Sequence, residues 1–398
     1  MPSTNILSNG FYAASLSTFH LLYIVTLGIL AKKFKIVDES FQKNLSKVVT
    51  NVILPCFIFA QIVNNFRIEN YSLIFDSLLG CCFLFFFGLL MGWLIAKFLR
   101  NSPCQSRFIE AVFSTPHTTS MTIVLMQVIG PLLDSIIPRQ KGLIGNSEKR
   151  GYLYIAMNSI YSNIWRWSGA YYLIDEEDLV DHRIEGNEEV ETRKSQAPER
   201  TIGDFFKSVV NVPLIASIIS IVFTLNPYFQ SYFNTPGSLL NATLISVNVM
   251  VGKSYGFIVM FLLGLSFADS IKFPSDKNDE IKRNEVSFLN NYDLFWISVM
   301  KLIVMPLLAC PLIIWIFRDY LKSDDVLVFI FLFMASAPSA INIIVICTYK
   351  DLYVQAVSLL MIVMYAASII TLTLQVTFFV YVIGYLNLQT TSPTVPVI

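Results

Sequence analysis

The sequence predicts an all-α polytopic membrane protein. Ten transmembrane helices form two inverted five-helix repeats, and the fourth and ninth helices each carry a break. Three observations carry this expectation. The 398-residue chain is 55% hydrophobic and only 14% charged, against about 25% charged residues in an ordinary soluble domain. Its mean hydropathy is +0.60, and apolar blocks of roughly the 20 residues needed to cross a bilayer recur along it. One block in each half breaks in its own middle, at Phe113-Ser-Thr-Pro-His-Thr-Thr-Ser-Met-Thr122 and at Ala335-Ser-Ala-Pro-Ser-Ala-Ile-Asn342.

The spans are expected near 13–32, 45–64, 72–97, 108–131, 151–174, 206–226, 250–269, 293–317, 326–348 and 353–386. The first block follows uncharged polar residues and lacks a basic flank, so it reads as a span and not as a cleaved signal. The seventh is the least regular. Lys253 interrupts it, and 236–249 reads as a short interfacial helix leading in. The 32 Phe and 18 Tyr suit a lipid-facing surface with interfacial aromatic belts.

Between the fifth and sixth spans lies the one long polar stretch, 175–204, with Glu176-Glu-Asp and Glu188-Glu-Val-Glu. It reads as a flexible cytosolic linker between an N-terminal repeat, 1–174, and a C-terminal repeat, 205–398. An odd number of spans per repeat inverts the second against the first. Most of the 28 Lys and Arg residues fall on one side, among them Lys32, Lys43, Lys47, Lys97 and Lys350. That side is expected in the cytosol, with both termini on the other side. The sequons at Asn70 and Asn241 then face away from the cytosol, and the one at Asn44 faces it.

A proline inside a run of small polar residues does not belong in a lipid-facing helix. Irregular backbone at that depth needs protein or a water-filled cavity around it. Paired interruptions in two halves point to the substrate site of a secondary transporter. Pro116 and Pro338 are the helix-breaking residues, since the position before proline avoids helical geometry. The second half-helices should start near Ser120 and Asn342, with N-terminal N–H groups that attract anions. His117, Ser120, Thr122, Ser339 and Asn342 are the candidate substrate-binding residues. A mere pair of kinks is the bland alternative.

Three intramembrane charges stand out: Glu110, Arg166 and Lys301. Such charges are costly and are paired or cavity-facing. For Arg166 and Lys301 a structural role is favoured, holding carbonyls freed by the broken helices or pairing with a carboxylate. Glu110 suits the cytosolic interface. No carboxylate cluster marks a proton or sodium relay. There is no phosphate-binding loop, nucleophile–base pair, metal cluster, voltage-sensor repeat or selectivity filter. The six Cys show no metal or redox spacing. The zero net charge implies no nucleic-acid partner. Neither a cofactor nor an enzymatic activity is expected.

Several stretches resemble the auxin efflux carrier family, in its PIN-like and fungal branch of the bile acid/arsenite/auxin carrier superfamily. They are Leu27-Gly-Ile-Leu-Ala-Lys-Lys, Val52-Ile-Leu-Pro-Cys-Phe, Pro116-His-Thr-Thr-Ser-Met-Thr, Asn163-Ile-Trp-Arg-Trp-Ser-Gly-Ala, Asn211-Val-Pro-Leu-Ile-Ala-Ser-Ile, Phe261-Leu-Leu-Gly-Leu-Ser, Pro338-Ser-Ala-Ile-Asn-Ile and Tyr365-Ala-Ala-Ser-Ile-Ile. The resemblance implies ten spans in two inverted repeats with crossed, broken helices four and nine. It implies export or sequestration of small organic anions such as indole-3-acetic acid, in the endoplasmic reticulum or plasma membrane, and a possible homodimer. By position His117 replaces a family Asn, Asn342 matches the ninth-span Asn, and Thr122 stands where a fourth-span Pro is usual. The function expected is an alternating-access carrier for a small organic anion. The alternative is a receptor or scaffold that keeps the transporter fold without transporting.

Overall fold

The computed structural model describes residues 2–66, 72–136, 146–174, 211–235, 237–271, 288–320, 324–350 and 352–391. The linker expected at 175–204 and the sequon residue Asn70 lie outside them. Among the described residues the regular secondary structure is helical, apart from one isolated antiparallel bridge between Pro116 and Ser339.

In chain order, α1 is Pro2–Lys33 and α2 is 39–65, with a π turn at Val49–Ile53. α3 is Ser72–Leu99. α4, Pro103–Ser114, and α5, Ser120–Ile136, flank the first break. α6 is 147–173, with a π turn at Arg166–Ala170. α7, Val212–Leu225, and α8, Pro227–Asn234, meet at a bend of 103°. α9 is 241–253 and α10 is Tyr255–Ile271. α11 is Asn291–Ile316, with a π turn at Met300–Val304. α12, Asp325–Ser336, and α13, Asn342–Lys350, flank the second break, and α14 is Val354–Thr391.

Six helical runs are long and apolar enough to cross a bilayer: Leu7–Lys33, Ser40–Asn65, Ser72–Leu99, Asn241–Ala268, Asn291–Ile316 and Val354–Tyr385. The molecule is thus a multi-pass membrane protein. Its outer helices are apolar all round, as lipid-facing helices are. On α3, Phe75, Leu79, Phe86, Leu90 and Trp93 point outward and are exposed. By contrast α12 is buried at all twelve positions, including Asp325 and Ser336. α6 falls short of the apolar runs because its inward side carries Asn158, Ser159, Ser162, Asn163 and Arg166, all buried.

One expectation needs correction. The seventh span is not 250–269 behind a separate interfacial helix. It is one run, Asn241–Ala268, with only a turn at Ser254. Lys253 precedes that turn with its side chain exposed, so its charge does not end the run. The sixth span is described only from Val212, where Asn211 caps α7 by accepting from the Leu214 N–H at 3.0 Å.

Prolines explain much of the local irregularity. A proline has no N–H for the carbonyl four residues earlier. Pro306 thereby frees the Leu302 carbonyl, and Gln375 of α14 donates its amide to it at 2.7 Å. The π turn at Met300–Val304 sits at this point. α1 crosses α10 with backbones nearly touching, because both contact residues are glycine. A methyl group on Gly28 would strike the Phe261 carbonyl, and one on Gly264 the Val25 carbonyl. Small residues permit such close membrane crossings.

Gly28→Ala and Gly264→Ala should each cost about 1–3 kcal/mol of stability, as overpacking does. Gly10→Ala faces only the movable tip of Val380, at 3.3 Å, and should cost less. Unfolding midpoints in detergent measure the three; equal midpoints refute the close crossing.

Candidate functional site

The first break begins as the sequence dictates. Pro116 keeps Thr115 out of helical geometry (φ −107, ψ 83), and α4 ends at Ser114. A helix end leaves carbonyls without intrahelical donors, and here bulk water is remote. Four carbonyls at this end find partners. Thr115 Oγ1 donates to the Ala111 carbonyl at 2.6 Å. Ser339 Oγ, from the other break, donates to the Val112 carbonyl at 2.6 Å. Lys301 Nζ donates to the Phe113 carbonyl at 2.8 Å. The Ala340 N–H donates to the Thr115 carbonyl at 3.0 Å. The two breaks therefore touch, held together by hydrogen bonds between their own backbones.

Beside this crossing lies a cavity of about 1090 Å³. Its floor includes Thr118, Thr119 and Ser120 at the start of α5, and Ile341 and Asn342 at the start of α13. Two helix N-termini thus converge on one space, and each contributes positive potential. From α6 come Asn163, Arg166 and Trp167. Tyr255 comes from α10. The mouth carries Lys43 and Lys47, one turn apart on α2.

Arg166 is 5% exposed. Its Nη1 donates to Asn163 Oδ1 at 2.6 Å. With the Asn342 carboxamide oxygen turned to the guanidinium, that oxygen accepts from Nη1 at 3.0 Å and Nη2 at 2.8 Å. Among the described residues no carboxylate lies within ion-pair distance of Arg166. The expectation of a carboxylate or a freed carbonyl beside it is replaced by two neutral amides. Arg166 and Asn342 form one unit on the cavity wall.

His117 lies on the same wall, 3% exposed. Its Nε2 is 3.5 Å from Ser120 Oγ, too long for a firm bond. Its Nδ1 has no protein partner, and its ring packs edge-to-face on Tyr365 with centroids 6.1 Å apart. Two other candidates face away from the cavity. Thr122 Oγ1 donates to the His117 carbonyl at 2.9 Å, and Ser339 Oγ is committed to Val112. Pro116 and Pro338 shape the break and contribute no group to the cavity wall.

Lys301 and Glu110 are also off the cavity. Lys301 is wholly buried, with Nζ 3.5 Å from Met305 Sδ and 5.5 Å from the centre of the Phe113 ring. It does what a carbonyl-holding residue should. Glu110 accepts from Ser106 Oγ at 3.0 Å, about a turn before the break. Residues the sequence did not mark as a site are Asn163, Trp167, Tyr255, Lys43 and Lys47. Asn163 was legible as the residue one turn before Arg166, and the lysines as an i, i+4 pair. Tyr255 carries no sequence signal; it stacks on Phe57 at 6.0 Å. Among the described residues no cluster of His, Cys, Asp or Glu could hold a metal ion.

Residues 14–376 match the family model described as membrane transport protein. An uncharacterized transporter of Schizosaccharomyces pombe is 21% identical over 401 residues, covering 83% of this chain and 86% of its own. An uncharacterized transporter of Saccharomyces cerevisiae is 31% identical over 121 residues, 30% of this chain and 21% of its own. The protein PIN-LIKES 5 of Arabidopsis thaliana is 21% identical over 189 residues, 46% of each chain. The family match takes in both breaks and Arg166. This chain belongs to the membrane transport protein family, the auxin efflux carrier group that its sequence resembles.

Proposed function

We propose that this protein is a secondary carrier for small organic anions, working by alternating access around the crossed breaks. Membership of the membrane transport protein family supports a carrier. The observation that supports an anion is the charge of the cavity wall. Among the described residues it carries Arg166, Lys43 and Lys47 and no Asp or Glu. Two helix N-termini add to the same sign. A carboxylate would dock on the Arg166 guanidinium, whose fork matches its two oxygens. Asn342, Ser120 and His117 would complete its hydrogen bonds. The apolar walls, with Leu54, Val259, Leu262 and Trp167, suit an apolar body such as an aromatic ring.

In this reading the ten passes are α1, α2, α3, α4 with α5, α6, α7, α9 with α10, α11, α12 with α13, and α14. Five precede the linker and five follow it, which inverts the second repeat. The Lys/Arg bias puts the mouth with Lys43 and Lys47 in the cytosol. The conformation described is then the cytosol-open one. The carrier would export or sequester its anion across the plasma or endoplasmic reticulum membrane.

Thermal unfolding of the purified protein against a panel of small carboxylates, including indole-3-acetate, tests this reading. A true ligand at a hundredfold excess over Kd stabilises by about 2.7 kcal/mol. Arg166→Gln, Asn342→Ala and His117→Ala should shrink or abolish that shift. A shift unchanged in all three removes them from the site, and no shift for any carboxylate sinks the anion reading. Thr122→Val and Ser339→Ala should behave oppositely. Each leaves a buried carbonyl without its donor, at about 1–3 kcal/mol, yet should keep the ligand shift of the wild type. Loss of that shift in either would put the hydroxyl in the site after all.

A further inference from the structure

Arg166 carries a charge that no titration removes under physiological conditions. Its neighbours in the cavity do not cancel it. Asn163 and Asn342 are neutral amides. The other formal charges on the cavity wall, Lys43 and Lys47, have the same sign. Among the described residues no acidic side chain reaches it. Here α6 differs from its own first turn, where Arg150 pairs with Asp324 at 2.9 Å.

Alternating access requires the cavity to close on one side before it opens on the other. Closing removes the aqueous cavity beside the guanidinium and the little exposure it retains, 5%. A charge taken from water without a counter-charge is penalised heavily, and a well-formed ion pair offsets that penalty. A lysine or a carboxylate could pass through the closed state by losing or gaining a proton. Arginine cannot. With a carboxylate on Arg166, the closed state holds a bidentate pair whose remaining lone pairs meet Asn342 and Ser120. Empty, it holds a bare cation between two amides.

We propose that the protein is an obligatory anion exchanger, in which Arg166 lets the loaded carrier cross and forbids the return of the empty one. The inference rests on the carrier reading above and adds its transport mode. One anion then moves out only as another moves in, and the substrate gradient is set by the exchanged partner, with no coupling cation. The absence of any carboxylate on the described cavity wall fits this mode, because a cation relay would need one.

The test is efflux of radiolabelled indole-3-acetate from liposomes holding the purified full chain. The vesicles are diluted into buffer with or without unlabelled indole-3-acetate. Potassium and valinomycin clamp the membrane potential, so that charge build-up cannot mimic exchange. Protein-free vesicles supply the leak. Efflux should be at least about tenfold faster with external anion, each tenfold standing for 1.36 kcal/mol of barrier. Equal efflux with and without external anion overturns the exchange proposal and leaves the carrier standing. No efflux above leak in either buffer overturns the carrier reading and the exchange with it. In Arg166→Gln, assayed at label concentrations where efflux still exceeds leak, the ratio should fall towards one. An unchanged ratio in that variant refutes the role given to Arg166. The wild-type ratio decides the transport mode whether or not the variant folds.

Discussion

Carbonyls stranded at the end of α4, with bulk water remote, are the constraint from which the centre of this protein follows. Unpaired backbone groups in hydrocarbon cost several kcal/mol each. Breaking a helix at depth is therefore permitted only if donors are brought to it. Here they come from Thr115 itself, from Ser339 and Ala340 of the opposite break, and from Lys301 of α11. Each break satisfies the other. That mutual dependence fixes the crossing point and engages the Ser339 hydroxyl. It leaves the starts of α5 and α13 to face the cavity.

The surrounding helices can be understood as what holds the crossing still. α12 approaches it wholly enclosed. Its start is tied to α6 by the buried pair of Arg150 and Asp324, with the Tyr154 hydroxyl donating to the same carboxylate. Asp134 of α5 accepts from the N–H and the hydroxyl of Ser147 at 2.9 and 2.7 Å. Tyr320 donates to Asp76 of α3. This cluster lies 16 residues before Arg166 on α6, or about 24 Å at 1.5 Å per residue. It gathers the ends of α3, α5, α6 and α12 and contributes nothing to the cavity wall. The acid–base pair of Arg150 and Asp324 thus lies away from the cavity, whose described wall carries cations alone as formal charges.

The breaks were legible because proline and small polar residues inside an apolar run have few explanations. The starts of the half-helices at Ser120 and Asn342, and the grip of Lys301 on a freed carbonyl, followed from backbone hydrogen bonding alone. What the sequence concealed was direction. Inside a break there is no helical period, so nothing local distinguishes Thr118 and Thr119, which face the cavity, from Thr122, which does not. The crossing angle decides it. Arg166 was visible as a charge, but its partners depend on α13 meeting α6, which spacing does not encode. Tyr255 enters from a third helix and was invisible for the same reason. The seventh span was misjudged because Lys253 reads as an interruption in one dimension and as an exposed helix end in three.

The two cations near the crossing separate structural from functional burial. Lys301 is sealed from the cavity, bonded to a backbone carbonyl and placed over an aromatic ring. Arg150, at the far end of α6, has a carboxylate. Arg166 has neither arrangement. Of its five N–H donors, the two amides take up to three, and the group faces a space large enough for an organic molecule. A cation needed only for support would be better served by a carbonyl or an acid, as its two counterparts are. A neutral amide holds a guanidinium in place without cancelling it. That combination leaves the charge oriented and available, which is what recognition of a carboxylate requires and what structural packing alone would not retain.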